Sequence, residues 1–152
     1  MPHILSLVFV IIVSARGYEC SPPPSVQISL NKSAAVFVGE VVAEEYRDVN
    51  TDSMGKPATA KALVIKLKVM RFWKGNVQEE VYLYTSERKY PDGTESLDAE
   101  DFRFHKGERY LVYAFSRNGH LQTHGCTRTR KVTEADADLR ELGEGELPKR
   151  KG

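Results

Sequence analysis

Residues 62–69 read ALVIKLKV and alternate between apolar and basic side chains over most of their length. Ile65 and Leu67 fall on one face of an extended chain, whereas Lys66 and Lys68 fall on the other. Such a period of two is typical of a half-buried β-strand, because successive side chains of a strand point to opposite faces. The stretch therefore predicts a strand that packs one face against a hydrophobic core.

Outside this stretch, the sequence predicts four further strands. Residues 72–75 (FWKG) end the first strand and turn the chain. Gly39 lies inside one of the further segments and predicts a bulge or a bend there. The dipeptide Asn118-Gly119 predicts a hairpin turn between the last two segments. The four segments are residues 34–43 (AAVFVGEVVA), 77–85 (VQEEVYLYT), 108–115 (ERYLVYAF) and 120–126 (HLQTHGC).

Two long polar segments separate these strands. Residues 46–61 include a glycine and a proline and predict a long connection, of a kind that is often functional or mobile in compact domains. Residues 87–106 contain the turn signature PDG at positions 91–93.

Two short helices are predicted beside the strands. Residues 25–33 (SVQISLNKS) begin with Ser25, a residue type that caps helix N-termini. Residues 133–142 (TEADADLREL) begin with Thr133 as a second cap, carry acids in the first turn and stop before Gly143. The acids of this second helix are interpreted as its solvated face. Its predicted packing stripe consists of Ala135, Leu139 and Leu142.

Five strands, mostly antiparallel, indicate a mainly β domain. Closing such a sheet into a small barrel removes its exposed edges. We therefore predict a five-stranded, OB-fold-like closed barrel with a short N-terminal helix and a C-terminal helix, and a β-sandwich is the alternative. The predicted core consists of Val36, Val38, Val41, Ile65, Leu67, Val69, Val81, Leu83, Leu111 and Val112.

The N-terminal end carries an apolar run of 12 residues at positions 4–15 (ILSLVFVIIVSA). A bilayer span needs roughly 20 residues, so the run is better matched to the apolar segment of a secretory signal peptide. Small residues precede a signal-peptidase cut, and we predict cleavage between Gly17 and Tyr18. A lipoprotein signal would need small residues just before Cys20, where the chain has tyrosine and glutamate. A buried N-terminal strand or helix is the remaining alternative.

This cleavage divides the chain into a signal peptide (1–17), one domain (18–143) and a flexible tail (144–152). We expect a secreted, extracellular protein, or a periplasmic one if the source is a Gram-negative bacterium. Removal of Arg16 leaves 21 of the 22 basic residues against 21 acidic residues. This balance argues against binding to nucleic acid, which favours a basic face. No second apolar run follows the leader, so no membrane anchor is expected.

Cys20 and Cys126 are the two cysteines of the chain. In an exported protein two cysteines most simply form a disulfide with each other. The prolines at positions 22–24 follow Cys20 directly and make the chain extended and stiff there. A free α-amino group at Tyr18 would therefore be held two residues from a disulfide.

No arrangement typical of an enzyme is found in the sequence. Nucleophilic catalysis needs a nucleophile beside a base, and the two cysteines are not free if they pair. His120 and His124 lie four residues apart in a predicted strand, which separates them by about 13 Å, too far for one shared metal ion. Both are interpreted as solvent-facing strand residues. We therefore expect no enzymatic activity and no cofactor.

Several stretches, taken in order along the chain, carry a family resemblance. They are the proline run after Cys20, AVFVGEV (35–41), FWKG (72–75), GERYLVYA (107–114) and LQTHGCTRT (121–129). Together with the positions of both cysteines, they resemble the netrin-like domain of tissue inhibitors of metalloproteinases over residues 18–142. This resemblance implies an OB-fold, a bond between Cys20 and Cys126, and inhibition of a zinc metalloendopeptidase.

In that family the processed chain begins Cys-x-Cys, and the α-amino nitrogen and carbonyl oxygen of the first cysteine chelate the protease zinc. Cys20 matches the second of these cysteines, and Tyr18 stands in the place of the first. The resemblance implies that Tyr18 binds the zinc of a bound protease through its α-amino and carbonyl groups. The implied inhibitory segment consists of Tyr18, Glu19, Cys20 and Ser21.

A loop that supports this segment in the family resembles residues 94–98 (TESLD). Its implied contact residues are Glu95, Ser96 and Leu97. Asp98 stands where the family has a cysteine bonded to the first one, so both halves of that second disulfide are absent together. The cysteine-rich C-terminal subdomain of the family is absent as well.

These inferences predict a monomeric inhibitor of a zinc endopeptidase. Glu19 replaces a small or apolar residue, and burying its charge in an apolar pocket would cost several kcal/mol. The target pocket is therefore expected to be polar or basic, or inhibition to be weak. The alternative is a secreted netrin-like binding module without a protease target, which would use residues 46–61 and the barrel face. A hydrolase is a third, weaker alternative.

Overall fold

The computed structural model describes residues 20–53 and 56–149, and this part of the chain is mainly β with two α-helices. The helices are α1 (Val26–Lys32) and α2 (Asp136–Leu142), and a 3-10 helix (Val132–Glu134) precedes α2. The strands are β1 (Ala35–Ser53), β2 (Lys56–Lys74), β3 (Glu80–Lys89), β4 (Glu95–Ser96), β5 (Arg109–Arg117), β6 (His120–Gln122) and β7 (Arg130–Lys131).

The strands β1 and β2 form one long antiparallel hairpin with 19 residues in each strand. The prediction of a long loop at residues 46–61 is wrong, because pairing continues through it to Ser53 opposite Lys56. Ala60 and Ala62 are buried in this part of β2, whereas the residues that alternate with them are exposed or half-buried. The hairpin therefore extends the sheet well beyond the two strands expected there.

The pairings of the sheet run in a ring. The strand β1 pairs with β2, β2 with β3, β3 with β6, β6 with β5, and β5 with β1. The contact between β3 and β6 is parallel and joins Leu83 to Leu121, and the other pairings in the ring are antiparallel. The short strands β4 and β7 add to β3 and β5.

Each of the five predicted strands has a counterpart in β1, β2, β3, β5 or β6. The last is shorter than predicted, because β6 ends at Gln122 and not at Cys126. The hairpin turn before it is confirmed, since Asn118 and Gly119 have φ values of 52° and 77°. Positive φ at both central residues defines the type I′ turn that matches the twist of paired strands.

A bulge in β1 lies next to Gly39, as predicted. The register of β1 against β2 shifts between Val38 and Gly39. A Cβ atom at Gly39 would lie 3.1 Å from the Cβ atom of Leu67. The missing side chain therefore lets the two strands approach closely at this point.

Nine of the ten predicted core residues are buried, and the exception, Val38, is half-buried. A larger cluster gathers side chains from β1, β2, β3 and β5, including Phe37, Leu67 and Tyr110. A smaller cluster joins Val36 and Leu111 to side chains of the C-terminal helical region. Adjacent residues of β1 are therefore both buried, because each face of this strand has its own cluster.

The predicted helices are confirmed, with one correction at a helix start. The side chain of Ser25 caps α1 and accepts a hydrogen bond from the N–H of Ile28 at 3.3 Å. Thr133 does not cap α2, because it lies inside the 3-10 helix and Ala135 takes the capping position without a side-chain hydrogen bond. Gly143 ends α2 with a φ of 77°, as predicted.

The prediction that the acids of α2 form its solvated face is wrong at Asp138. Its side chain is only 1% exposed and is paired with Arg128. The hydroxyl group of Tyr113 also donates a hydrogen bond to it. A buried carboxylate is tolerated at this position because its charge is matched by a partner on the body of the domain.

Part of the segment predicted to be a flexible tail is hydrogen-bonded to β2. The N–H of Phe72 donates to the carbonyl of Glu146 at 2.9 Å, and the N–H of Glu146 donates to the carbonyl of Phe72 at 2.8 Å. Leu147, the next residue, is 75% exposed.

We expect Leu67→Ala and Leu111→Ala each to lower the free energy of unfolding by about 2–5 kcal/mol. Both leucines are fully buried, one in each cluster, and truncation leaves a cavity that the neighbours fill only in part. Leu147→Ala is the matched control and should change stability by less than about 0.5 kcal/mol. Urea denaturation measures the free energy of unfolding of all three variants. Losses at both buried leucines as small as that of Leu147→Ala would contradict the assigned core.

Candidate functional site

The described part of the chain begins at a disulfide between Cys20 and Cys126, whose Cα atoms are 5.3 Å apart. This confirms the predicted bond. It ties the N-terminal segment to the stretch that follows β6. Tyr18 and Glu19 lie outside the described residues, so their roles stay predictions.

The segment at residues 20–24 has no regular secondary structure, and Cys20 and Ser21 are exposed. Proline has no N–H group, so positions 22–24 can form backbone hydrogen bonds only through their carbonyls. The carbonyl of Pro24 accepts hydrogen bonds from Nη1 of Arg128 at 2.9 Å and from Oγ of Ser29 at 3.3 Å. The segment is therefore held at both ends and remains accessible between them.

The three predicted support residues form β4 and the position directly after it. Glu95 and Ser96 form β4 and pair with Lys89 and Arg88 of β3. Leu97 follows them and is 51% exposed, so it presents an apolar side chain to solvent. The PDG turn before β4 is confirmed, with a φ of 85° at its glycine.

Backbone contacts to the disulfide-bonded stretch come from residues further along this loop. The N–H of Gly125 donates to the carbonyl of Glu100 at 2.6 Å. Asp101 forms an isolated antiparallel bridge with His124. The loop thus reaches the residues immediately before Cys126, but through Glu100 and Asp101. Sequence reasoning missed these two acids, because an irregular polar loop has no periodicity that would show which residues make contacts.

Side-chain hydrogen bonds also fix the loop to β3. The N–H of Asp98 donates to Oγ of Ser86 at 2.9 Å, and the N–H of Ser86 donates to Oδ2 of Asp101 at 3.3 Å. Burial raises the pKa of the Asp101 carboxyl, and the nearby Asp98 charge adds to the rise, while the hydrogen bonds from Ser86 oppose it. The stabilising contribution of this carboxyl is therefore present at low pH and is lost as the pH rises through the raised pKa.

A cleft lies beside the loop. Two cavities of about 470 and 660 Å³ adjoin, and one ends near His124 and the other at residues 48–50 of the β1–β2 hairpin. They share the lining residues Tyr84, Ser86, Asp98, Arg117 and Gln122. The end of the long hairpin, β3 and the β5–β6 turn therefore line one continuous cleft, which has both polar and apolar walls.

The two histidines at the cleft have separate aromatic partners. The ring of His120 stacks on Tyr84 with centroids 3.9 Å apart. The ring of His124 lies 5.5 Å from that of Phe115, and its Nδ1 atom accepts a hydrogen bond from the N–H of Cys126 at 3.1 Å. Both are half-buried, which corrects the interpretation that they face solvent on a strand.

One group of side chains resembles a metal site in its spacing. Donor atoms of Glu100, His124 and Cys126 all lie within 4.8 Å of one another. The sulfur of Cys126 is bonded to Cys20, however, which leaves a carboxylate and an imidazole. Zinc sites use three or four protein ligands, so this group does not form one while the disulfide is intact.

Comparison of the sequence with protein-family models and with curated proteins finds no match. Within residues 20–53 and 56–149, no helix is long and apolar enough to cross a membrane. The fold and the site define a mainly β domain in which a disulfide ties residues 20–24 to the stretch that follows β6.

Proposed function

We propose that this protein is a secreted, netrin-like inhibitor of zinc metalloendopeptidases that acts through its processed N-terminus. The observation that carries the proposal is the disulfide between Cys20 and Cys126, which holds the chain two residues after the proposed first residue, Tyr18. Disulfides persist in oxidising compartments outside the cytosol, which supports export after cleavage at Gly17.

The proposed scaffold is an OB-type closed barrel. The ring of pairings from β1 through β2, β3, β6 and β5 back to β1 supports it. A closed sheet is a rigid support, because it has no free edge along which strands can separate. A rigid scaffold matters here because metal chelation tolerates little positional error.

The inhibitory step needs only the free N-terminus of Tyr18. A catalytic zinc ion keeps one coordination position open for water. The α-amine and the carbonyl oxygen of one residue can displace that water together as a chelate. An α-amine has a pKa of about 8 in water, and a nearby metal ion favours its neutral form.

Residues beside Tyr18 would set which protease is inhibited. Glu19 would enter the pocket next to the zinc ion, and an apolar pocket would disfavour its charge by several kcal/mol. The proposed targets are therefore proteases with a polar or basic pocket. Leu97, half-exposed beside Glu95 and Ser96, would supply an apolar contact from the supporting loop.

We expect one alanine added before Tyr18 to abolish inhibition without changing the melting temperature. The extension moves the α-amine by about 3.5 Å. Zinc–nitrogen bonds of about 2.0–2.1 Å tolerate only a few tenths of an ångström. Inhibition constants against a panel of zinc endopeptidases measure the effect, and N-terminal sequencing verifies that the parent begins at Tyr18.

An alanine added after Gly152 is the matched control and should leave inhibition intact. Equal inhibition by the parent and by the N-terminally extended protein would rule out chelation by the α-amine.

A second candidate function is a secreted binding module, and the cleft is the observation that favours it. It lies between the end of the β1–β2 hairpin, β3 and the β5–β6 turn. OB-folds bind ligands on the face of strands 2 and 3 and on loops beside it, and the cleft shares with that region the strand β3, the β1–β2 hairpin and the β5–β6 turn. This candidate replaces the first if neither the parent nor the extended protein inhibits any protease of the panel.

A further inference from the structure

A buried ion pair connects the C-terminal helix to the body of the domain. Nη2 of Arg128 lies 2.5 Å from Oδ1 of Asp138, and Nε of Arg128 donates to Oδ2 at 2.8 Å. The side chain of Arg128 is 16% exposed and that of Asp138 is 1% exposed. This bidentate geometry fixes the plane of the guanidinium group as well as its position.

The carboxylate of Asp138 accepts a hydrogen bond from a third donor. The hydroxyl group of Tyr113 donates to Oδ2 of Asp138 at 3.1 Å. Burial by itself would raise the pKa of the Asp138 carboxyl, but the hydrogen bonds from Arg128 and Tyr113 outweigh it and hold that pKa below its usual value. Asp138 is therefore ionised at neutral pH and keeps Arg128 in one orientation.

In this orientation the remaining arm of Arg128 points to the N-terminal segment. Its Nη1 atom donates to the carbonyl of Pro24 at 2.9 Å, across 104 residues of sequence. The disulfide fixes the same segment at Cys20. At the other end of the segment, Arg128 shares the carbonyl of Pro24 with Oγ of Ser29, and these contacts together with the disulfide define the direction of the segment.

We propose that Arg128, oriented by Asp138, is a positioning residue that sets the direction of the segment from Cys20 to Pro24. Its role in inhibition rests on the function proposed above. A guanidinium group can bind a carboxylate with two N–H groups and a carbonyl with a third, which a lysine ammonium cannot do with the same fixed geometry.

The test compares Arg128→Lys with Tyr113→Phe in the full-length processed protein. The first variant keeps the positive charge but loses the fork that reaches Pro24. The second removes a hydrogen bond from the same buried cluster and leaves the contact with Pro24 in place. Arg140→Lys, at an exposed position of α2, is the control for replacing a guanidinium group by an ammonium group.

Three quantities are measured for each protein: the ¹⁵N heteronuclear NOE of the Ser21 amide, the ¹³C shift of the Pro24 carbonyl, and the inhibition constant against a zinc endopeptidase. In Arg128→Lys we expect the NOE to fall, the carbonyl shift to move upfield and inhibition to weaken about tenfold, which corresponds to one charge-assisted hydrogen bond. Tyr113→Phe should lower the melting temperature and leave the NOE and the carbonyl shift unchanged.

If Arg128→Lys changes the NOE of Ser21 and the carbonyl shift of Pro24, but neither the parent nor any variant inhibits a protease, the positioning role is supported and the proposed function is rejected. An NOE and a carbonyl shift in Arg128→Lys that equal those of the parent would overturn the positioning role. The same would follow if Tyr113→Phe disturbed Ser21 as much as Arg128→Lys, because a general loss of stability would then explain both.

Discussion

Replacing both cysteines, Cys20→Ala with Cys126→Ala, is expected to lower the free energy of unfolding by about 4–5 kcal/mol. The bond joins residues 106 apart, so the closed loop includes α1 and the strands from β1 to β6. Without it the unfolded chain regains the conformations that such a long closed loop excludes. Urea denaturation of the parent and of the double variant measures the difference.

The control is a protein that lacks the disulfide but keeps both cysteines. The parent protein, reduced and then alkylated at both thiols, should lose a similar amount of stability, since the effect belongs to the bond and not to the substituted side chains. A loss below about 1 kcal/mol in both preparations would contradict the prediction and would mean that the reduced, unfolded chain is already compact.

The second large effect is expected for Asp138→Asn, which should cost about 3–5 kcal/mol in the free energy of unfolding. The substitution keeps the size of the side chain but removes its charge, so Arg128 is left largely buried without a counter-charge. Asp136→Asn is the matched control, because Asp136 is an exposed acid of the same helix. It should cost no more than about 1 kcal/mol through its interaction with the helix dipole.

The same carboxylate predicts a dependence of stability on pH. The pKa of Asp138 is lowered in the folded protein, so its contribution is fully present above the unfolded pKa of about 4 and is lost as the pH falls through the lower, folded value. As the pH falls below about 4, the parent should therefore lose stability more steeply than Asp138→Asn, whose side chain does not titrate. Parallel curves for the two proteins over this range would contradict the direction of the shift.

The predictions for the double cysteine variant and for Asp138→Asn concern the two ends at which residues 20–24 are held. The disulfide holds this segment at Cys20, and the pair of Arg128 and Asp138 holds it at Pro24. Inhibition by the processed N-terminus, as proposed, depends on both. The double cysteine variant and Asp138→Asn should therefore each weaken inhibition even at temperatures where the protein remains folded.

The sequence by itself determined the features that depend on local pattern. Alternating side chains predict the cores of β2 and β3, and the dipeptide Asn118-Gly119 predicts a tight turn because both residues accept positive φ. Ser25 and Gly143 mark one start and one end of a helix for equally local reasons. The single pair of cysteines left one simple partner for each, so the disulfide could be predicted without knowledge of the fold.

The local sequence pattern gave a wrong prediction at residues 46–61, where a strand is stabilised by the strands it pairs with. The residues after Tyr46 are polar, and alanine has little preference for strands, so Ala60 and Ala62 did not stand out. Ala62 lies between two strands, with Arg47 of β1 and Arg88 of β3 opposite it, and Ala60 pairs with Val49 of β1. A strand of this kind is stabilised by its neighbours, which the sequence of the strand does not contain.

Only the tertiary structure decided where the charged residues of the site lie. Asp138 occupies a helical position between Ala135 and Leu142, on the packing stripe, yet an acid in a first turn is ordinarily a solvated one. Its burial depends on Arg128, a residue ten positions earlier that reaches it across the fold. Glu100 likewise meets Gly125 only because the loop after β4 folds back toward the disulfide. The free energy of such contacts depends on burial and geometry, which exist only once the sheet has formed and which no local sequence pattern records.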